Sequence, residues 1–440
     1  MINDATIEIR RPRWREELVE ALKAETFKRR EVTFLLGTDE DIPAERRAAF
    51  APHHVEELRG ALGEAGLDVT VLAVAGVGDR AGFADSSYRH AGARIVARDE
   101  IEGSVDVVHA LKEPTLYEAS IPGPFLRIGA LHLPSYPPGV AEMLRQKNFS
   151  LIIDGATVGN CSYLLGGGDR TPIVGSMSRF AGAVAGEKVA EALAEAGKII
   201  VVGGGIAGLA AIETVRPKLA SLVVVETYPP TRERLPKALG DLGISDFEIV
   251  PALTDTILAD AAGLIFAHRA GAQAAAKICS VDQLAGMRNG GALADIAIDQ
   301  GGSLYFDGYD ENDDAHATRE KCRAELNKKG LSYYAETNIP REVPYEATER
   351  HGDASWAYVA ALMGLCAVHG GPDGAGAAIL SHDIRVYGEN DSVGDRGLLD
   401  CLTQDLRNGV QLAVVDGNVR VTDPDIEDNV PLMQWVQSAE

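Results

Sequence analysis

Residues 198–215 read KIIVVGGGIAGLAAIETV, and this stretch decides the fold. A run of apolar β-formers leads into Gly203-x-Gly205-x-x-Gly208, and a helix-length segment of small and aliphatic residues follows. The next strand candidate, SLVVVE, ends in Glu226, 18 positions beyond Gly208. Strand, tight turn, helix and acid-terminated strand in this register predict a dinucleotide site. Gly203 permits the turn, Gly205 lets the backbone approach a pyrophosphate, and Gly208 lets the helix pack closely on its strand. The helix N-terminus offers free N–H groups and a partial positive charge to the phosphates. Glu226 is expected to accept hydrogen bonds from a ribose hydroxyl and to repel a 2′-phosphate. With no arginine directly after it, the pattern favours NAD over NADP.

The same alternation extends both ways. DFEIVPA, GLIFAHR and GALADIAID read as further strands of this series. Upstream, VTFLLG, DVTVLAVA, ARIVA, DVVHAL, FLRIGALHL and SLIID alternate with helical HHVEELRGALGEAG and VAEMLRQKN. Short β-rich runs separated by helices imply parallel βαβ units. The expected fold is α/β: two Rossmann-like domains with parallel sheets and an active-site cleft between them. Residues 173–340 form the expected NAD-binding domain, entered through the loop LLGGGDRTP and the long helix SMSRFAGAVAGEKVAEALAEAG. Residues 1–172 and 341–440 form a discontinuous substrate domain. Its last hundred residues carry the helix DASWAYVAALMGLCAVH and a glycine-rich loop, GGPDGAGAA. Near the N-terminus, RWREELVEALKAETF reads as a surface helix or an oligomer-contact arm.

Composition narrows the function. Among 440 residues, 65 acidic and 42 basic side chains give a formal net charge of −23, which argues against nucleic acid or an anionic membrane as a partner. The five cysteines are odd in number and widely spaced, without a C-x-x-C pair. This pattern excludes a disulfide framework or zinc cluster and suits the reducing cytoplasm. No signal-peptide core opens the chain, and no stretch reaches membrane-span length. YDENDDAH (309–316) lacks calcium-loop spacing, His53-His54 has no further ligand nearby in sequence, and His351, His369 and His382 show no metal-like spacing, so no metal is expected.

Ligands of open α/β sheets sit beyond the carboxyl ends of the strands. Lys112 follows DVVHAL, His132 ends FLRIGALHL, His268 ends GLIFAH, and Asp299 ends GALADIAID. Each has a simpler reading alone: a loop lysine, core histidines, a turn cap.

Taken together, the set resembles the alanine dehydrogenase family, which shares its fold with the NAD-binding part of transhydrogenase and, more distantly, with lysine-forming saccharopine dehydrogenases. ERRAAFAPHHVEEL is similar to the family's R-V-A-L-T-P element and LKEP to its lysine motif. ALHL, SMSRFAGAVAG, DIAIDQGG and NIPREVP resemble further family blocks, in order along the chain. The resemblance implies that Arg47 and Lys112 bind substrate and that His132 and Asp299 are catalytic, with Lys112 polarising the carbonyl. It places Ser178 and Asn338 beside the cofactor, where His268 is also expected. It implies hydride transfer between NAD and an L-amino acid, giving a 2-oxo acid and ammonia, in a dimer or hexamer. Two alternatives remain. A saccharopine-type or carboxyethyl-amino-acid dehydrogenase is favoured by the missing loop before KIIVV and by DGATV, and disfavoured by DIAIDQGG. A non-catalytic NAD(H) sensor is disfavoured by the joint presence of Arg47, Lys112, His132 and Asp299.

Overall fold

The structure is a computed structural model and describes residues 11–39, 42, 45–101, 103–131, 133, 136–155, 158, 172–268, 275–307, 315–382, 398–422 and 430–439. Contacts divide the chain into two compact units, residues 3–176 with 341–440 and residues 177–340.

In the first unit, β1 (Glu31–Leu36), β2 (Asp68–Val74), β3 (Arg94–Val96), β4 (Val107–His109), β5 (Leu126–Gly129) and β6 (Leu151–Asp154) pair in parallel. Their spatial order is β3-β2-β1-β4-β5-β6. The order reverses between β1 and β4, where the first connection leaves one side of β1 and the later ones build on the other. Such a reversal opens a crevice beyond the strands' carboxyl ends. Phe34, Leu35, Leu36, Val107, Val108, Leu126 and Ile128 are buried, as strands covered on both faces require.

The second unit repeats the plan. β7 (Gly197–Val202), β8 (Leu219–Val225), β9 (Phe247–Val250), β10 (Ala261–Phe266), β12 (Ala292–Asp295) and β14 (Ser332–Tyr334) form a parallel sheet in the order β9-β8-β7-β10-β12-β14. The reversal here lies between β7 and β10. A small parallel pair, β11 (Cys279–Ser280) and β13 (Leu304–Tyr305), accompanies it. Two C-terminal strands, β15 (Val410–Val415) and β16 (Asn418–Val421), return to the first sheet, β15 antiparallel to β6 and β16 antiparallel to β15.

Three segments differ from the sequence reading. The helix Arg11–Lys23 is a core element rather than a surface arm, because Leu18, Val19 and Leu22 are buried and Leu22 packs where the long helix Pro344–His369 has Gly364. GGPDGAGAA is mostly helix, Pro372–Ser381, rather than loop. Gly370 and Gly371 take positive φ and end the preceding helix, while Pro372 at the first helical position starts the next. GALADIAID is a strand only as far as Asp295; Ile296–Gln300 then forms a 3₁₀ helix, so Asp299 lies beyond the strand end and not on it. Asp295 sets this boundary by accepting the Ala297 N–H at 3.0 Å, which folds the chain over at once. Among the described residues no single helix is long and apolar enough to cross a membrane.

Candidate active site

At the β1/β4 reversal the segment after β1 meets the segment after β4. Asp39 receives two backbone hydrogen bonds, from the N–H of Leu111 and of Lys112, both at 3.0 Å. From β5, Arg127 Nη2 donates to the Lys112 carbonyl at 2.5 Å, and Arg127 Nε donates to Glu118 at 2.7 Å. The Lys112 peptide is thus held at both its N–H and its C=O by buried charged side chains, while the lysine itself is half-buried. Burial, with the nearby Glu118 and Glu45 carboxylates, pushes the Asp39 carboxyl up to about 7.

Arg47 lies in the same cluster. Its Nε and Nη2 donate to the two oxygens of Glu45 at 2.8 and 2.7 Å, and Glu45 also accepts the Arg46 and Arg47 N–H groups at 3.0 Å. Burial alone raises the Glu45 carboxyl, but the Arg47 guanidinium, reinforced by Lys112, holds it well below the usual carboxylate range. The side-on fork expected to grip a substrate carboxylate therefore faces Glu45. Thr348 on the long helix accepts the Ala48 N–H at 3.0 Å and fixes this segment to the core.

His132 lies outside the described residues, as does its pose. Its neighbours are fixed: Leu131 and Leu133 are buried, and the Leu131 N–H reaches Asp154 Oδ1, at the end of β6, at 3.3 Å. For Asp299 only the backbone is described. Its 3₁₀ helix is held by Asp295, which also accepts the Ser303 N–H at 2.7 Å and the Ser303 hydroxyl at 2.8 Å. Sequence reasoning missed this pattern. Asp39, Asp154 and Asp295, each buried at or just past a strand end, anchor the turns that lead to Lys112, His132 and Asp299. The available signal was an aspartate closing each apolar run.

In the second unit the glycines separate by what surrounds them. Gly203 has φ +101°, and an added Cβ there would meet the Ala267 carbonyl at 2.7 Å and the His268 nitrogen at 2.8 Å. At Gly208 a Cβ would lie 1.9 Å from the Gly203 carbonyl. Around Gly205, where φ is −78°, a Cβ would meet nothing within 4 Å. Two glycines are thus demanded by the protein's own packing and the third by none of it, which is the open approach a pyrophosphate needs. Gly205 precedes the helix Ile206–Val215, whose first turn has no side-chain cap. Glu226 accepts the Gly204 and Tyr228 N–H groups, both at 2.8 Å, which aims its carboxylate along the glycine turn. His268 lies beyond β10 at the same reversal. Burial lowers its pKa against the opposing pull of Asp295, so its imidazole is neutral. Ser178 sits half-buried on the helix Pro172–Ala192, and Asn338 follows β14 with φ +55°.

Replacing Gly205 by alanine is expected to leave the melting temperature nearly unchanged while weakening NADH binding about tenfold or more through lost phosphate contacts. Gly208→Ala is expected to cost about 1–3 kcal/mol of stability by overpacking. Calorimetric melting and a fluorescence titration with NADH separate the two.

The fold also supplies what the sequence did not show near His53-His54. Asp353, from the long helix, approaches both, and one ligand atom from each lies within 4.8 Å of the others. His54 Nδ1 accepts the Ala51 N–H at 3.1 Å, so Nε2 carries the proton and donates to Asp353 at 2.8 Å. That tautomer makes the pair a hydrogen-bonded helix anchor, and no metal is assigned to it.

The alanine dehydrogenase/PNT N-terminal domain matches residues 38–181 and the C-terminal domain of the same family matches residues 174–369, together covering most of the chain. The chain belongs to the alanine dehydrogenase/PNT family. Alanine dehydrogenase 2 of Staphylococcus aureus strain N315 is 26% identical over 340 residues, covering 72% of this chain and 84% of that protein. Among solved structures, an L-alanine dehydrogenase superposes with a TM-score of 0.64 at 20% identity, covering 92% of this chain and all of the other. A transhydrogenase from Sinorhizobium meliloti gives 0.58 at 18%, covering 78% and 98%. Both share the fold of this family member. The family matches leave out the N-terminal helix and the residues after 369, from which Leu22, Ile379, Leu402 and Leu406 join the first unit's core.

The raised carboxyl of Asp39 predicts a pH-dependent contribution to the stability of the first unit. Its folded pKa is raised from 3.8 to about 7, so the folded state binds the proton more tightly and the resulting stability is present below about pH 4 and lost as pH rises through about 7. Asp39→Asn should remove this contribution. The wild-type advantage over the variant is then expected to shrink from pH 4 to pH 8 in thermal melts.

Proposed function

We propose that this protein is an NAD-dependent amino-acid dehydrogenase that interconverts an L-amino acid with its 2-oxo acid and ammonia, with the substrate held by the first unit and the nucleotide by the second. The observation that carries the reading is the held Lys112 peptide at the β1/β4 reversal, matched in the other unit by an open Gly205 at the β7/β10 reversal. Fixing the Lys112 backbone at both its N–H and its C=O sets where the side chain starts, and an ammonium in that crevice suits polarising a carbonyl oxygen.

Charge balance supports an anionic substrate. Arg47 and Lys112 are cationic; Glu45 offsets one of them, and Asp39 is drawn towards its neutral form. Arg47 contributes through its charge while Glu45 orients it. His132 passes a proton to or from the carbinolamine oxygen, a step typically worth about 10²–10⁴ in rate. Asp299 stabilises the cationic amine centre. The nicotinamide, when bound, accepts or supplies the hydride.

The test is a set of initial rates of NADH oxidation with several 2-oxo acids, each with ammonium, lysine or ornithine as the amine. Ammonium-dependent oxidation with one oxo acid supports the reading. Oxidation only with the larger amines assigns the saccharopine-type reaction instead, and tight NADH binding without turnover on any pair makes the protein a nucleotide sensor.

A further inference from the structure

The buried side of the long helix Pro344–His369 carries three polar residues spaced along it, Thr348, His351 and Ser355. Two of them serve the β1/β4 cluster. Thr348 holds the Ala48 N–H beside Arg47, and Ser355 Oγ lies 3.1 Å from Nε2 of His109, the last residue of β4. His351 lies between them, 3% exposed, its ring stacked on that of His109 at 5.4 Å between centroids. Neither of its ring nitrogens has a hydrogen-bond partner among the described residues. Arg47, Glu45, His109 and His54 are the charged or titratable groups acting on it, and burial with these neighbours lowers its pKa well below the ordinary value. It is a neutral imidazole, able to offer one donor and one acceptor.

Folded proteins rarely leave both nitrogens of a buried imidazole without a partner, because an unmade hydrogen bond in a low-dielectric interior is costly. His109 shows the contrast on the same stack, with Nδ1 on the Ile128 carbonyl at 3.0 Å and Nε2 beside Ser355. We propose that His351 is a specificity-determining residue that hydrogen-bonds a polar side chain of the substrate, so that the preferred 2-oxo acid carries a hydroxyl, amide or second carboxylate beyond its oxo group. The inference rests on the dehydrogenase reading above. There, the Arg47 charge attracts the carboxylate and the Lys112 ammonium takes the oxo group, which leaves the substrate's side chain as the group His351 can meet.

The experiment compares kcat/KM for isosteric oxo acids, 3-hydroxypyruvate against 2-oxobutyrate and 2-oxoglutarate against 5-methyl-2-oxohexanoate, in wild type, His351→Leu and His351→Gln. The wild type is expected to prefer the polar member of at least one pair by about tenfold or more. His351→Leu is expected to abolish that preference while melting no lower than wild type and binding NADH equally well, and His351→Gln is expected to keep part of it. Equal use of both members by the wild type, or a preference that survives in a folded His351→Leu, overturns the inference: the imidazole then meets an ordered water alone. Absence of turnover on every oxo acid in the wild type overturns the dehydrogenase reading, and this inference with it.

Discussion

His132→Ala is expected to lower the rate of reductive amination by about 10²–10⁴, the usual size of a general acid–base contribution, while NADH affinity stays within a factor of two to three. The reasoning joins chemistry to anchoring. An imidazole with an ordinary pKa near 6.5 can both accept and donate a proton at neutral pH, which addition of ammonia and loss of water each require. Its two neighbours in sequence, Leu131 and Leu133, are buried, and the Leu131 N–H is tied to Asp154. Alanine removes the ring and leaves the buried Leu131 and Leu133 on either side unchanged. Asp154→Ala is the companion: it keeps the imidazole in the sequence but removes the acceptor of the Leu131 N–H, with a smaller loss of turnover expected. Single-turnover rates, read from NADH absorbance, report the chemical step directly. Full activity in His132→Ala contradicts the assignment.

The second large effect falls on stability. Arg127 and Glu118 are both fully buried, joined at 2.7 Å, and Arg127 also carries the Lys112 carbonyl. Burial raises the Glu118 carboxyl, against the opposing pull of Arg127 in charge and hydrogen bond. Removing one member of such a pair leaves an uncompensated buried charge, so Arg127→Ala is expected to cost about 3–5 kcal/mol. Arg127→Met with Glu118→Leu replaces the pair by apolar groups of similar volume and is expected to recover most of that loss. The double variant should nevertheless show a raised KM for the oxo acid, because the Lys112 peptide has lost the donor that fixed its carbonyl. Denaturant melts give the first number and steady-state kinetics the second. Unchanged KM in the folded double variant shows that Asp39 alone is enough to place the lysine.

Much of this architecture is legible in the chain because parallel strands buried on both faces are written as unbroken apolar runs. KIIVVG, SLVVVE, VTFLLG and SLIID all fall on strands within a residue or two. The glycine turn is equally legible, since Gly203 and Gly208 are fixed by contacts local to the motif itself. Where the reading departs, the deciding contacts are distant in sequence. GGPDGAGAA has loop composition, yet its helix is stabilised by Ala375, Gly376 and Ile379 packing on the first unit's core. The N-terminal helix is polar enough to suggest a surface arm, and its buried Leu22 finds its partner some 340 positions later, at Gly364. GALADIAID is apolar on both sides of Asp295, so that aspartate is the one mark in its pattern of the turn it imposes. The Glu45 partner of Arg47 is only two residues away, but an ion pair across a bend shows no periodicity to read.

The site is legible to a lesser depth than the fold. Lys112 could be found from its place after an apolar strand; Asp39, which holds it, lies 73 positions earlier on the other side of the sheet reversal. Strand order, which the sequence does not state, brings them together. His351 shows the same limit. A lone histidine on an apolar helix is unremarkable until its neighbours Thr348 and Ser355 are seen to reach two different parts of the cluster.

The most direct measurement follows the atoms. Incubation with NADH carrying deuterium at both C4 positions, 15N-ammonium and the preferred 2-oxo acid, followed by mass spectrometry of the product, asks where hydride and nitrogen go. The account predicts an amino acid carrying one deuterium on its α-carbon and one 15N. Deuterium recovered in a 2-hydroxy acid without nitrogen, or retained entirely in the nucleotide, contradicts it.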